Sequence, residues 1–295
     1  MELKENFKEK IHLKTEQINA LPESLIKQMV MLALNEDIQS GDITAKLIDK
    51  NKETRGKLIT REGMVLCGQS FVNEVFKQID PEVQLTWYAK DGDVLTENAV
   101  IFEVSGKAQS ILTAERTALN FLQMLSATAT KACQFSNKIN HTNAKILDTR
   151  KTIPLYRLAQ KYAVHCGGGF NHRIGLFDAF LIKENHILAA GSIFNAVQKA
   201  REIAKDKLIE VEVENFDELN QAINAKVDVI MLDNFNCEQM KEAVKIVDGQ
   251  IPLEASGNVS LDSIVEIAET GVDFISIGGL TKHIQAIDLS LRLEN

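Results

Sequence analysis

The sequence predicts an α/β protein whose second half forms a parallel barrel, and three observations lead to this prediction. From about residue 145 onward, short apolar runs alternate with amphipathic helical stretches, as in βαβ units. About seven such runs follow one another, which indicates closure into a barrel rather than an open sheet. The composition, 45% hydrophobic and 25% charged over 295 residues, is that of a globular protein with an ample core.

The first part of the chain is predicted to be a smaller module of helices and β-like runs. Residues 21–38 show helical apolar spacing with an acidic first turn after Pro22. A segment expected to be extended follows at 40–48. The remaining predicted elements are β-like runs at 56–62, 82–90 and 99–107 and helices at 69–79 and 108–139. Asp91 and Asp93 are interpreted as turn formers rather than metal ligands.

Seven segments are the candidate strands of the barrel, separated by amphipathic helical stretches such as SIFNAVQKAREIA and CEQMKEAVKIV. In chain order they are KILDTRK (145–151), VHCGGG (164–169), FLIKE (180–184), LIEVEVEN (208–215), VIMLDN (229–234), IPLEASG (251–257) and FISIGG (274–279).

One segment of this acidic chain is cationic. The protein carries 33 Lys/Arg against 41 Asp/Glu, but residues 148–186 hold six Lys/Arg and three His against three acids. Arg150, Lys151 and Lys183 directly follow apolar runs, so they lie where the carboxyl ends of barrel strands meet and where such folds place their chemistry. We therefore interpret them as site residues rather than as ordinary solvated charges.

Acidic residues follow at the ends of later strands. In LIEVEVEN, period-two alternation places Glu210, Glu212 and Glu214 on one face, which should point into the barrel and require at least one counter-ion. Asp233 ends the next strand. Glu212 and Asp233 together could hold Mg²⁺, and the alternative for either acid alone is a salt bridge to Lys183 or Lys151.

Glycine pairs suggest where a phosphate could bind. Gly278 and Gly279 carry no side chains that would obstruct backbone N–H groups, and they lie on a late strand, where barrels commonly bind phosphate. The run Gly167–Gly169 fits neither the GxGxxG nor the P-loop pattern, so a dinucleotide-binding or Walker site is rejected.

Composition also excludes several classes of protein. A net charge of −8 argues against a nucleic-acid partner. No apolar stretch approaches the ~20 residues needed to span a bilayer, and the charged N-terminal residues lack the apolar core of a secretory signal, so a cytoplasmic protein is expected. The four cysteines are widely spaced, which suggests neither a zinc site nor a disulfide framework.

Eight motifs, in order and spread over nearly the whole chain, resemble those of the quinolinate phosphoribosyltransferase family. They are ERTALNFLQ (115–123), DTRKT (148–152), HCGGGFNHRIGL (165–176), LIKENHI (181–187), EVEVEN (210–215), LDNF (232–235), EASGNV (254–259) and SIGGLT (276–281). One departure is the sequence Thr281-Lys282-His283, where the family often has Thr-His-Ser.

The resemblance implies both an architecture and a reaction. The expected fold is an incomplete α/β barrel of about seven strands at 126–280, with an N-terminal α/β sandwich domain at 1–125 that a last helix, 281–295, rejoins. The expected reaction transfers phosphoribosyl from 5-phosphoribosyl 1-pyrophosphate to quinolinate with decarboxylation. The resemblance also implies Mg²⁺ and a homodimer, which could assemble further, with each site completed by its neighbour.

The resemblance assigns the site residues as follows. The expected quinolinate ligands are Arg150, His172, Arg173 and, reaching across the dimer, Arg116. Lys151 and Lys183 are expected at the junction of the two anions, and Glu212 and Asp233 are expected to act through Mg²⁺; these four are the expected catalytic groups. The residues expected to hold the 5-phosphate are Ser256, Gly257, Asn258, Gly278 and Gly279.

Three alternatives remain open on the sequence alone. Lys183 could form a Schiff base in a barrel aldolase, since a lysine at a barrel strand end commonly serves that chemistry. The same basic mouth could belong to a non-catalytic anion-binding protein. A related pyrophosphorylase-like enzyme could use another acceptor.

Overall fold

The structure, a computed structural model, describes residues 18–294, and the chain divides into two compact units. The charged segment 1–17, on which the expectation of no secretory signal rests, lies outside the described residues. One unit contains Ala132–Lys282, and the other contains Ala20–Lys131 together with His283–Asn295. The divisions therefore fall after residues 131 and 282, whereas the sequence placed them after 125 and 280.

The N-terminal unit combines helices with short antiparallel strands. Its elements are α1 (Glu23–Ile38), a 3₁₀ turn (Ala45–Leu47), β1 (Glu53–Thr60), β2 (Met64–Val65), α2 (Gln69–Ile79), β3 (Gln84–Trp87), β4 (Val94–Leu95), β5 (Val100–Lys107) and the long helix α3 (Ala108–Lys138), which contains the division at 131. The predicted helices and β-like runs are all present, but the segment expected to be extended at 40–48 contains the 3₁₀ turn. Its backbone is held by Asp42, whose carboxylate accepts hydrogen bonds from the N–H groups of Thr44 and Ala45.

The barrel unit alternates strands and helices. Its elements are β6 (Lys145–Leu147), α4 (Arg157–Cys166), β7 (Ala179–Ile182), α5 (Glu184–Ala190), α6 (Ile193–Ile203), β8 (Leu208–Val213), α7 (Phe216–Asn224), β9 (Val229–Asp233), α8 (Cys237–Val247), β10 (Leu253–Ser256), α9 (Ile264–Ala268), β11 (Phe274–Ser276) and α10 (Gly279–Lys282).

The barrel is incomplete because β6 and β7, which are consecutive in the chain, lie at opposite edges of one sheet. The order is β6-β11-β10-β9-β8-β7, and every pairing is parallel. A single parallel bridge joins Phe170 to Leu147 beside β6. The sheet therefore has six strands, and this bridge stands where a seventh was expected.

The predicted strand VHCGGG is wrong. Val164, His165 and Cys166 are the last turn of α4, in which Ala159, Ala163 and Val164 are buried at helical spacing. Gly167 donates a backbone hydrogen bond to the Ala163 carbonyl, and the glycine run ends the helix instead of extending a strand.

The predicted C-terminal helix is also wrong. The chain ends in strand β12 (Leu289–Glu294), which pairs antiparallel with β1 from Arg55 opposite Glu294 to Thr60 opposite Leu289. Leucines at every second position give this segment a strand period rather than a helical one. The four-stranded sheet of the N-terminal unit has the order β12-β1-β5-β3.

Buried strands and capped helices position the mouth of the barrel. All six residues of β8 are buried, as expected for a parallel strand covered on both faces. Asn215 and Asn236 then begin the next helices by accepting hydrogen bonds from the backbone N–H groups of Glu218 and Gln239. These caps fix the turns that follow Glu212 and Asp233. Within residues 18–294, no helix has the length and apolar character needed to cross a bilayer.

Candidate active site

A cavity of about 300 Å³ opens at the carboxyl ends of the barrel strands. Residues from all six strand ends line it, so the sheet order brings together side chains that lie far apart in the sequence. The predicted site residues among its lining are Arg150, Lys151, His172, Arg173, Lys183, Glu212 and Ser256. Four of them are Lys or Arg, which gives the cavity a positive wall inside an acidic protein.

Two guanidinium groups crowd one side of this cavity. Burial lowers the pKa of Arg173, and the positive charge of Arg150 lowers it further, while Glu210 and Asp178 act in the opposite direction. The Nε atom of Arg150 is buried and has no hydrogen-bond partner among residues 18–294. The two cations therefore repel each other at close range, and a bound anion would relieve that repulsion.

Lys183 and Glu212 form an ion pair across the ends of β7 and β8. Burial raises the pKa of Glu212; Lys183 counteracts this effect, and the nearby Asp233 carboxylate adds to it. The salt bridge considered from the sequence as an alternative is therefore present. Because Asp233 is close enough to influence Glu212, the two carboxylates could still share a cation.

A buried network below the cavity fixes the loop that carries His172 and Arg173. Asp148, fully buried, pairs with the Lys161 ammonium group and accepts hydrogen bonds from Asn171 Nδ2 at 2.5 Å and from the His172 backbone N–H at 2.9 Å. Lys161 also donates to the His172 carbonyl at 3.0 Å. Both ends of the His172 peptide are thus bound to one ion pair, which sets the direction in which the following side chains leave the backbone.

Not every cation of the basic segment reaches the cavity. Lys161 is fully buried in the network just described. The Arg157 guanidinium donates to Thr152 Oγ1 and to the Ile174 carbonyl, both at 3.1 Å. These two cations hold loops in place. The sequence alone did not distinguish them from the Lys and Arg side chains that line the cavity.

His172 stands over two buried carboxylates. Its Nε2 atom lies 2.8 Å from Glu210 Oε2 and 3.6 Å from Glu254 Oε2. The predicted alternation of β8 is observed: Glu210 and Glu212 are buried and contact His172 and Lys183, whereas Glu214, beyond the strand, is exposed.

The residues expected to hold phosphate lie at the end of β10, in the turn that follows it, and between the end of β11 and the start of α10. Ser256 lines the cavity, and Gly257 follows it with φ +110°. A Cβ at Gly257 would lie 2.3 Å from Asn234 Oδ1, so both the backbone angle and the close approach require glycine. Gly278 leaves room for Lys151, since a Cβ there would come within 2.9 Å of Lys151 Cδ.

Replacing Gly257 by alanine should destabilise the barrel and weaken binding of the phosphoribosyl donor that the sequence resemblance implies. The left-handed backbone costs a non-glycine residue about 1–3 kcal/mol, and the new methyl group would push against Asn234. Thermal unfolding and the KM for the donor would measure both effects. Gly249→Ala is a matched control, because Gly249 has φ +72° with no atom within 4 Å, so it should show the backbone cost without the change in KM. Equal effects in both variants would contradict the proposed role of the turn.

Some predicted residues lie outside the cavity lining. Asp233 is half-buried at the end of β9, Asn258 and Gly278 lie in the segments that follow β10 and β11, and Gly279 begins α10. Arg116 is exposed on α3, within the N-terminal unit.

Five residues of the cavity lining were not predicted: Thr149, Leu181, Met231, Glu254 and Ser276. A signal for Glu254 was present in the sequence. It lies two positions before Ser256 on the same strand, and period-two alternation places both side chains on the inward face. Thr149 and Ser276 carry no comparable signal, since small polar residues are common at strand ends.

Two family models match the chain. Residues 42–126 match the quinolinate phosphoribosyl transferase N-terminal domain, and residues 128–292 match the C-terminal domain of the same family. Together the two matches cover most of the sequence.

Individual relatives agree with these models over nearly their whole lengths. A probable nicotinate-nucleotide pyrophosphorylase [carboxylating] of Bacillus subtilis is 39% identical over 90% of this chain and 92% of its own. A chloroplastic nicotinate-nucleotide pyrophosphorylase [carboxylating] of Arabidopsis thaliana is 37% identical over 91% and 83%. Among solved structures, the nicotinate-nucleotide pyrophosphorylase of Francisella tularensis superimposes with a TM-score of 0.92 at 57% identity, covering 94% of this chain and 99% of that one.

Proposed function

Because the chain belongs to the quinolinate phosphoribosyltransferase family, we propose that it transfers phosphoribosyl from 5-phosphoribosyl 1-pyrophosphate to quinolinate. The products are nicotinate mononucleotide, pyrophosphate and CO₂, which places the enzyme in the synthesis of NAD. The observation that carries this proposal is the convergence of Arg150, Arg173 and Lys183 in one cavity.

The charge of quinolinate matches this cavity. Its two adjacent carboxylates make it a dianion, and guanidinium groups can each bind a carboxylate with two parallel hydrogen bonds. Arg150 and Arg173 repel each other without a ligand, so part of the binding free energy comes from relief of that repulsion. His172 adds a third donor from the cavity floor.

The chemistry needs orientation and charge stabilisation more than a covalent intermediate. The ring nitrogen of quinolinate attacks C1 of the ribose as pyrophosphate leaves, and negative charge grows on the departing oxygens. Lys151, at the mouth beside Gly278, is placed to meet that charge. Once the ring nitrogen is a pyridinium, it stabilises the electron pair left on the adjacent carbon when CO₂ departs, and that carbon then takes up a proton.

Glu212 and Asp233 are the residues that would hold Mg²⁺. They end neighbouring strands, they influence each other electrostatically, and Lys183 neutralises only one of them. Two carboxylates with open oxygen positions suit Mg²⁺, which keeps several phosphate or water oxygens. When bound, the ion would neutralise pyrophosphate charge and orient the donor.

Replacing Asp233 by asparagine should raise the Mg²⁺ concentration needed for half-maximal velocity by about tenfold or more, because one of two ionic ligands becomes neutral. Initial rates across a Mg²⁺ series would measure this. Asp217→Asn, at an exposed position on α7, serves as the control. An unchanged Mg²⁺ dependence in Asp233→Asn would contradict the assignment.

The proposal extends to assembly and location. We expect a homodimer in which Arg116 of each subunit completes the neighbour's site, because Arg116 is exposed on α3 and an exposed guanidinium group suits an anionic ligand. We also expect a cytoplasmic enzyme. Light scattering would measure the oligomeric state. Arg116→Ala should lower quinolinate affinity and leave the dimer intact.

The aldolase alternative is weakened by the ion pair at Lys183. A Schiff base requires the Lys183 Nζ atom to attack a carbonyl carbon, and here that atom is bound to the Glu212 carboxylate. Borohydride trapping with a carbonyl substrate would detect that chemistry if it occurred.

Product analysis tests the proposed reaction as a whole. The enzyme would be incubated with quinolinate, 5-phosphoribosyl 1-pyrophosphate and Mg²⁺, with nicotinate as the competing acceptor. We expect nicotinate mononucleotide from quinolinate, with one CO₂ and one pyrophosphate per turnover. Product from nicotinate alone would identify a related enzyme with another acceptor, and binding without products would identify an anion-binding protein.

A further inference from the structure

Three ionisable side chains meet beneath the cavity floor without an obvious balance of charge. Glu210 of β8 and Glu254 of β10 are both buried, and His172 lies over them at 2.8 Å and 3.6 Å. Their ligand atoms all lie within 4.8 Å of one another. If both carboxylates were ionised and the imidazole carried one positive charge, a net negative charge would be buried directly below the anion site.

The buried carboxyl oxygens of this cluster lack hydrogen-bond donors. Both carboxyl oxygens of Glu254 and Oε1 of Glu210 are buried and accept no hydrogen bond of normal geometry from residues 18–294. The nearby Ser276 hydroxyl stabilises charge on Glu254, but only as a minor influence. A buried carboxylate without donors is strongly disfavoured, and the usual remedy is to take up a proton.

The hydrogen bond of His172 also limits what its ring can do. Nε2 is the nitrogen that faces Glu210, so only Nδ1 is left to meet a ligand. A neutral ring that donates from Nε2 presents a lone pair at Nδ1, which repels a carboxylate, whereas an imidazolium presents N–H groups at both nitrogens. With an ionised Glu210 accepting from Nε2, His172 can therefore donate from Nδ1 to an anion only while the ring is charged.

The electrostatic surroundings favour a protonated Glu254 and a charged His172. Burial and the neighbouring Glu210 raise the pKa of Glu254 to about 8, with His172 and Ser276 acting in the opposite direction. Burial lowers the pKa of His172 and Lys161 adds to that effect, but the two carboxylates raise it overall, Glu210 more than Glu254. When Glu254 is protonated, Glu210 at 2.8 Å is the group that favours the charged ring.

A divalent cation fits this cluster poorly, although the three ligand types could hold one. Arg150 and Arg173 line the same cavity, and the Lys161 ammonium group binds the His172 carbonyl and Asp148. A further charge of +2 would meet these cations in a medium of low dielectric constant. A proton supplies the missing positive charge without that cost.

We propose that Glu254 is a positioning residue that stays protonated at neutral pH, so that Glu210 alone balances the charge of a His172 imidazolium under the anion site. The cluster then carries one positive and one negative charge and is neutral overall. Loss of the Glu254 proton would add a negative charge beneath the bound dianion. The inference rests on the proposed function for its ligand, quinolinate.

The wild-type enzyme gives the first test. Quinolinate affinity, measured by calorimetry, should fall about tenfold between pH 7 and pH 9, since one proton with a midpoint near 8 must be present for tight binding. Calorimetry in buffers of different ionisation enthalpy should show uptake of about half a proton or more per site at pH 8.5. Binding that is independent of pH, with no proton uptake between pH 7 and pH 9, would overturn the proposal without any variant.

Glu254→Gln identifies the group responsible. Glutamine keeps the shape and the neutral charge of the protonated acid but cannot titrate. The fall in affinity between pH 7 and pH 9 should shrink to less than about threefold, and proton uptake at pH 8.5 should largely disappear. Glu269→Gln is the matched control, because Glu269 pairs with His141 at 3.2 Å on the exposed surface; its profile should match that of the wild type.

The outcomes separate this inference from the proposed function. If the wild type gives no binding signal with quinolinate, the proposed function is wrong. If quinolinate binds, but Glu254→Gln retains the wild-type pH profile and proton uptake at an unchanged melting temperature, Glu254 does not hold the proton and this inference is wrong. A purely structural role for Glu254 would change the melting temperature and leave the proton count intact.

Discussion

Replacing Arg150 by alanine should reduce quinolinate affinity by about a hundredfold or more, which corresponds to about 3 kcal/mol. Arg150 is half-buried and its Nε has no protein partner among residues 18–294, so a carboxylate of quinolinate is the partner that we propose for it. The fold should survive, because removing one of two repelling cations costs little, and the melting temperature should remain close to that of the wild type. Calorimetric titration together with thermal unfolding would measure both quantities.

Two further variants sharpen this test. Arg150→Lys keeps the charge but loses the bidentate geometry, so its affinity should lie between those of the wild type and Arg150→Ala. Arg201→Ala removes an arginine that pairs with Asp228 at 2.9 Å, away from the cavity lining, and should bind quinolinate normally. Wild-type affinity in Arg150→Ala would contradict the assignment of Arg150.

Replacing Lys161 by methionine should have the largest effect on stability. The change leaves the Asp148 carboxylate buried without its counter-ion, and breaking a buried ion pair in this way costs about 3–5 kcal/mol. For a unit of this size, that cost lowers the melting temperature by roughly 6–20 °C. Because Lys161 also holds the His172 carbonyl, quinolinate affinity should fall even at temperatures where the variant is folded.

A double-variant cycle tests the reason for this loss. Asp148→Asn removes the charge that Lys161 balances, so Lys161→Met combined with Asp148→Asn should be less destabilised than the sum of the two single variants. Additive losses would mean that the two residues act independently, which the observed ion pair does not allow.

The sequence predicted most of the barrel because its local and global signals agree. Apolar strands buried on both faces, separated by capped amphipathic helices, lead to a parallel sheet with few alternatives. The same periodicity correctly placed Glu210 and Glu212 inside the barrel. Lys183 was found because it directly follows β7, and Arg150 because it lies shortly beyond the end of β6, at the same edge of the sheet.

The remaining features depend on tertiary contacts that no local pattern encodes. Val164–Cys166 were taken for a strand because a short apolar run before glycines has no clear period, and the helix became evident only from the burial of Ala159 and Ala163. Lys161 resembles the lysines of the site in sequence, but its partner, Asp148, lies 13 positions away. The C-terminal strand forms only because β1 offers it an edge.

The most direct test of the central claim compares quinolinate with its two monocarboxylate fragments, nicotinate and picolinate, by calorimetric titration of the wild-type enzyme. If separate strands place cations that together bind a doubly charged pyridine, quinolinate should bind at least about a hundredfold more tightly than either fragment, since each lacks one charge-assisted carboxylate contact. Equal affinities for all three compounds would show that the cationic side chains do not act on a single ligand.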